Sequence, residues 1–181
     1  MNMISKRIHY VGVNDTDKTL FEGLWPLPYG VSYNSYIIED DKIALIDTVE
    51  SGNENEYLDK IREAIGDRQI DYLVINHMEP DHSSLISFIR KHYPDLVVVT
   101  NQKAVPMLKG YQNGYDGEIM VIKEGDELSL GNTTLKFFMA PMVHWPETMV
   151  TYLVEDKTLF SGDAFGTFGG VVNGITDSEA S

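Results

Sequence analysis

Four potential metal ligands fall within a single hexapeptide, His77-Met78-Glu79-Pro80-Asp81-His82. A segment so dense in imidazoles and carboxylates makes poor hydrophobic core, because each group would need its own buried partner. It follows directly on the apolar run IDYLVIN (70–76) and precedes a stretch with helical spacing. Such a strand-to-helix junction is where an α/β sheet presents functional side chains, outside the carboxyl ends of its strands. Two other strand ends deliver groups of the same kind. His144 follows TTLKFFMA (133–140) after a Pro-Met-Val loop, and Asp163 closes TLFSGD (158–163). Together these residues make a set of three histidines and three carboxylates. Such nitrogen and oxygen donors suit a pair of iron or manganese ions better than zinc. A carboxylate at a strand end can bridge two cations, since its two oxygens bind independently.

Each of these residues taken singly has an ordinary role open to it. Asp81 is a plausible helix N-cap, and a histidine or aspartate at a strand end commonly serves a turn. It is the convergence of three strand ends on one kind of chemistry that favours a metal pair. Asp47, at the end of KIALIDT (42–48), reads as a hydrogen-bonding support for the ligand loop. His9 and His92 have no partners nearby in sequence and read as surface or core residues. Trp25 and Tyr29, in the loop LWPLPYG, are candidates either to roof the pocket or to pack in the core. Nothing matches a nucleophile elbow or a phosphate-binding loop.

Composition narrows the chemistry further. The chain has 181 residues and no cysteine, which excludes disulfides, thiolate catalysis and cysteine-held clusters among these residues. Twenty-eight Asp and Glu against 14 Lys and Arg give a formal charge of −14. A field of that sign repels nucleic acid and anionic membrane, so neither is expected as a partner. The N-terminal stretch lacks the apolar core of a signal peptide, and no run is long and apolar enough to span a bilayer. A cytoplasmic protein is the resulting expectation.

The elements that must position these groups are legible from apolar periodicity. HYVGV (9–13), YNSYIIE (33–39) and KIALIDT (42–48) read as strands, the last two a hairpin through Asp40 and Asp41. Residues 53–65 carry apolar side chains at Tyr57, Leu58, Ile61, Ala64 and Ile65, the spacing of an amphipathic helix. IDYLVIN (70–76) and DLVVVT (95–100) are strands with continuous apolar cores. SSLISFIRKHY (83–93) reads as a helix capped by Ser83 or Ser84, and 101–110 as another despite Pro106. From 118 the pattern turns to successive strands at 118–123, 126–130, 133–140, 148–154 and 158–163, with a turn at Gly131-Asn132. A single α/β domain over residues 1–181 follows, sheets inside and helices on the outer faces.

The stretches YNSYII, KIALIDT, NHMEPDHS, HWPETMVTYL and LFSGDAFG together resemble the flavodiiron proteins, from near the start of the chain to its end. The metallo-β-lactamase superfamily normally carries H-x-H-x-D-H; Glu79 stands in place of the second histidine, an exchange that marks the flavodiiron branch. The resemblance implies an αββα sandwich of metallo-β-lactamase-like fold. It implies one iron on His77, Glu79 and His144, another on Asp81 and His82, and Asp163 bridging them. It further implies reduction of dioxygen to water or of nitric oxide to nitrous oxide. The electrons would come from FMN on a flavodoxin-like domain, refilled by a donor such as rubredoxin or a flavoprotein, in a head-to-tail homodimer. A further downstream histidine and the flavodoxin-like domain are expected of that family. Since neither lies within these residues, the fold is expected to be incomplete at its C-terminus. A zinc-dependent hydrolase and a non-enzymatic di-iron gas sensor are the competing readings.

Overall fold

The structure, a computed structural model, describes residues 2–170. In chain order its N-terminal strands are β1 (Asn2–Met3), β2 (Ile8–Tyr10), β3 (Val13–Asp15), β4 (Leu20–Phe21), β5 (Trp25–Pro26), β6 (Val31–Tyr33), β7 (Tyr36–Glu39) and β8 (Ile43–Ile46). Helix α1 (Glu54–Ile65), strand β9 (Tyr72–Val74), helices α2 (Pro80–Ser83) and α3 (Ile86–His92), strand β10 (Val97–Asn101) and helix α4 (Ala104–Tyr111) follow. The remaining strands are β11 (Ile119–Ile122), β12 (Glu127–Ser129), β13 (Thr134–Met139), β14 (Met149–Leu153) and β15 (Thr158–Phe160).

Seven strands form one mixed sheet in the order β1-β2-β7-β8-β9-β10-β11, parallel from β8 to β11. Four form an antiparallel sheet in the order β12-β13-β14-β15. The central strands of the larger sheet are buried on both faces, which explains their unbroken apolar runs. Ile43, Leu45, Leu73 and Val98 face the helices, packing with Tyr57, Ile61, Ile86, Ile89 and Leu108. Ala44, Ile46, Val74 and Val99 face the other way, against Leu135, Phe137, Met149 and Phe160 of the smaller sheet. In β13 the alternation is strict at its centre: Leu135 and Phe137 are buried between the sheets, whereas Lys136 and Phe138 point outward. The layers run helix, sheet, sheet, an α/β sandwich. Among the described residues no helix packs on the outer face of the smaller sheet.

The differences from the sequence reading are local. The strand expected over 9–13 breaks after Tyr10 and resumes as β3. At the break, a Cβ on Gly12 would meet the Tyr33 carbonyl oxygen at 2.2 Å, so only glycine allows the close approach. The helix expected over 83–93 is two helices, and the first starts at Pro80, inside the ligand hexapeptide. Proline suits that first helical position because it has no N–H to leave unpaired. Ser83 and Ser84 are therefore not N-caps; Ser84 instead closes α2. The Ser83 hydroxyl donates to the carbonyls of Met78 and Glu79, and that of Ser84 to Pro80. The helix expected over 101–110 begins at Ala104, with Asn101 Oδ1 accepting from the Lys103 and Ala104 amides.

Candidate metal centre

The hexapeptide leaves the carboxyl end of β9, beside that of β8, and both strands are parallel and central. The other groups arrive from the smaller sheet, His144 from the loop after β13 and Asp163 from the loop after β15. The two sheets are tied at this edge: the Met149 amide donates to the Asn76 carbonyl at 3.0 Å, and the Thr151 hydroxyl to Asn76 Oδ1 at 2.7 Å. His144 sits in a tight turn with φ 70°, a left-handed backbone costly for a non-glycine residue and typical of functional sites.

The result is two donor groups that share one residue. His77, Glu79, His144 and Asp163 each offer a ligand atom within 4.8 Å of the others, and so do Asp81, His82 and Asp163. Glu79 Oε2 lies 3.1 Å from His77 Nε2 and 2.8 Å from His144 Nε2. Asp163 turns Oδ1 to His82 Nε2 at 2.8 Å and Oδ2 towards His77 Nε2 at 3.6 Å. All six residues singled out in the sequence are thus drawn to one place. His77, Glu79 and His82 are buried, whereas His144 and Asp163 open to solvent.

Asp47 carries the supporting hydrogen bond expected of it, Oδ1 accepting from the Asn76 amide at 2.7 Å. Its other oxygen stands 3.5 Å from His82 Nδ1. A residue the sequence reading passed over is Glu147, buried to 1% exposure. Its Oε1 accepts from His77 Nδ1 at 2.7 Å and from the Met78 amide at 3.0 Å. Its place three residues after His144, in HWPETM, was the available signal. His9 is buried beside Glu39, and exposed His92 meets the edge of Phe88; both lie apart from the centre.

A cleft of about 600 Å³ opens onto Glu79, Asp81, His144 and Asp163, walled by Phe21, Trp25 and Phe168 among others. Phe21 and Phe168 pack with ring centroids 4.9 Å apart. Of the two aromatic candidates, Trp25 lines this cleft; Tyr29 does not, and stands 77% exposed.

Charge in the centre is strongly coupled. Burial pushes the His82 imidazolium down, but Asp163 and Asp47 outweigh it and hold its pKa well above the usual value. His77 is likewise raised, Glu79 and Glu147 overcoming burial. The His77 hydrogen bond holds Glu79 below the usual carboxylate range, with His144 adding to the effect. Asp163 is also lowered, because His82 more than offsets its burial. Asp81 is the exception: burial raises it to about 6.

The donor set passes a chemical test for metal. Asp81 Oδ1 is buried without a hydrogen-bond partner among the described residues, although buried polar atoms are nearly always paired. Oxygens of Glu79 and Asp163 face the Nε2 atoms of His77, His82 and His144 across gaps that a proton or a cation can fill. A cation that takes up those lone pairs would satisfy Asp81 Oδ1 and the facing Nε2 atoms together.

A two-sheet sandwich with a histidine and carboxylate cluster at one edge defines a metallo-β-lactamase-like domain, of the kind in which Glu79 replaces a histidine. The family model described as ODP family beta lactamase matches residues 31–178. The chain belongs to this family, the β-lactamase-like domain of the flavodiiron proteins. It is 36% identical to an anaerobic nitric oxide reductase flavorubredoxin of Vibrio vulnificus, over 90% of this chain and 33% of that protein. The rubredoxin oxygen:oxidoreductase of Desulfovibrio gigas superposes with a TM-score of 0.93 at 32% identity, over 98% of this chain and 44% of that one. The flavodiiron protein of Giardia intestinalis superposes at 0.88, also at 32% identity, over 94% of this chain and 42% of its own. The chain therefore spans roughly a third to two fifths of the curated relatives it matches. Among the described residues no helix is long and apolar enough to cross a membrane.

Proposed function

We propose that residues 1–181 form the metal-bearing domain of a flavodiiron-type oxidoreductase that reduces dioxygen to water, nitric oxide to nitrous oxide, or both. One observation carries the reading: Asp163 gives one oxygen to each of two donor groups, His77/Glu79/His144 and Asp81/His82. In this reading His77, Glu79 and His144 would hold one iron and Asp81 and His82 the other, with Asp163 shared between the two groups. Two ferrous ions, when bound, supply electrons to a small gas molecule.

The chain's own residues do the rest. Glu79 is anchored between two imidazoles, so its carboxylate is preoriented before any ion arrives. Phe21, Trp25 and Phe168 give the cleft an apolar wall, which admits a small uncharged gas and limits ordered water beside the donors. FMN on a flavodoxin-like domain is the expected electron source. A rubredoxin or flavoprotein would refill it, in keeping with the names of the Desulfovibrio gigas and Vibrio vulnificus relatives.

Anaerobic reconstitution with iron(II) followed by metal analysis tests the reading, and gas consumption with an added chemical reductant tests the activity. Two irons per chain, and loss of whichever gas consumption the loaded chain shows when they are removed, are expected. Preferential zinc uptake with ester or amide hydrolysis would instead establish the hydrolase.

A further inference from the structure

The buried acid beside His77 carries an inference of its own. Glu147 lies two residues before β14, outside the hexapeptide, and its side chain is sequestered from solvent. A carboxylate only accepts hydrogen bonds, so His77 Nδ1 must bear the proton that Glu147 Oε1 receives at 2.7 Å. Nε2 also faces a carboxylate, Glu79 Oε2, but at the longer 3.1 Å. In the neutral ring the shorter and more deeply buried contact to Glu147 favours the proton on Nδ1 and leaves the Nε2 lone pair for a cation. The same Oε1 takes the Met78 amide at 3.0 Å, and so pins the backbone between His77 and Glu79. Glu147 is itself held in place: its carbonyl accepts from Asn101 Nδ2 at 2.6 Å, which attaches it to the end of β10. The edge of the Trp145 indole closes on the His77 ring, centroids 5.1 Å apart and planes at 87°, leaving that ring little freedom to flip. Glu147 Oε2 meanwhile is buried with no partner among the described residues. A buried carboxylate left half-paired is expensive, and one whose paired oxygen serves the His77 ring and the adjoining amide is best understood as kept for that ring.

We propose that Glu147 is a positioning residue that locks His77 in its Nδ1–H tautomer and raises the donor strength of Nε2 towards a metal ion. The proposal rests on the metal reading of the site for its consequence, but the tautomer itself is a property of the bare chain. An outer carboxylate on a ligating histidine commonly contributes about 10- to 100-fold in metal affinity.

The experiment has two readouts on the whole chain. Long-range nitrogen–proton NMR of the metal-free protein at alkaline pH reports the His77 tautomer, and anaerobic titration with iron(II) reports affinity. The wild type should show the Nδ1–H form. Glu147→Ala should shift His77 towards Nε2–H or a mixture, leave His144 signals in place, and weaken iron(II) binding by about 10- to 100-fold. Glu147→Gln keeps an acceptor oxygen for Nδ1 and for Met78 but loses the charge. It should retain the tautomer and the thermal midpoint, and bind iron(II) more weakly than wild type and more tightly than Glu147→Ala. Wild-type tautomer and affinity in Glu147→Ala would overturn the proposal. Should that variant not fold, Glu147→Gln decides: unchanged iron(II) affinity overturns it. A wild-type chain that takes up no iron defeats the metal reading instead, and the NMR result still tests the lock.

Discussion

His144 Nε2 stands 2.8 Å from Glu79 Oε2, although 65 residues separate the two and they lie in loops that leave strands of different sheets. Glu79 also meets His77, so it is the hinge of the first donor group. Replacing it by histidine would exchange an oxygen donor for a nitrogen between two imidazoles, a set that suits zinc better. Glu79→His should therefore shift uptake from iron(II) towards zinc(II) in a competition measured by metal analysis. An unchanged iron-to-zinc ratio would show that Glu79 does not set the preference.

Asp163 is common to both donor groups, so its loss should be felt at both. Asp163→Ala is expected to bind at most one iron where the wild type binds two. It should also remove the acceptor for His82 Nε2. Metal stoichiometry after anaerobic loading and desalting checks this. Two tightly held irons in the variant would contradict a bridging role.

The pH dependence of the metal-free chain follows from Asp81. Burial raises its carboxyl from 3.8 to about 6, so the folded state holds that proton more tightly than the unfolded chain. The stabilisation is complete below the unfolded pKa and is lost as pH rises through about 6, where the folded chain must bury a charge. The loss amounts to roughly 2–3 kcal/mol at neutral pH. The raised His77 and His82 act in the same direction, losing their contribution as pH passes their folded values. Urea unfolding of the metal-free protein should accordingly give a lower midpoint at pH about 8 than at about 5. Asp81→Asn should flatten part of that difference and at the same time impair iron binding. A steeper profile in the variant would reverse the assignment.

Asp47 adopts a left-handed backbone, φ 54°, and its carbonyl is clamped by the hydroxyls of Ser35 and Tyr57. Removing its side chain leaves the buried Asn76 amide without an acceptor, at a cost of about 1–3 kcal/mol. Asp47→Ala should lower stability by about that amount in chemical denaturation, and Asp47→Asn by less, since an amide oxygen can replace Oδ1. Equal losses in the two variants would indicate that charge, rather than the hydrogen bond, is what matters there.

Much of this arrangement was legible because it is local or periodic. Strands β8, β9 and β10 are buried on both faces, so they announce themselves as apolar runs. The hexapeptide and Asp47 sit where such runs end. Less visible were β3 to β6, strands of two or three residues with few buried side chains, whose pairing depends on contacts along the cleft. For the same reason Phe21 and Phe168, which meet across the cleft, could not be linked in advance. Glu147 was hidden differently. Its partner His77 is 70 residues away, and a glutamate before a strand reads as surface until both sheets are in place. The serine caps failed because Pro80 starts a helix earlier than the apolar spacing alone suggests.

The donor groups straddle the seam between the two sheets: His77, Glu79, Asp81 and His82 leave the larger one, His144 and Asp163 the smaller. Ions shared across that seam would act as a clasp whose opening requires the sheets to part. Amide hydrogen exchange should then slow on loading with iron(II) along β14 and β15, far beyond the residues that touch the ions, because local fraying at that edge would be coupled to metal release. The slowest-exchanging amides of β9 and β10 should change least, since their protection already depends on unfolding of the whole domain.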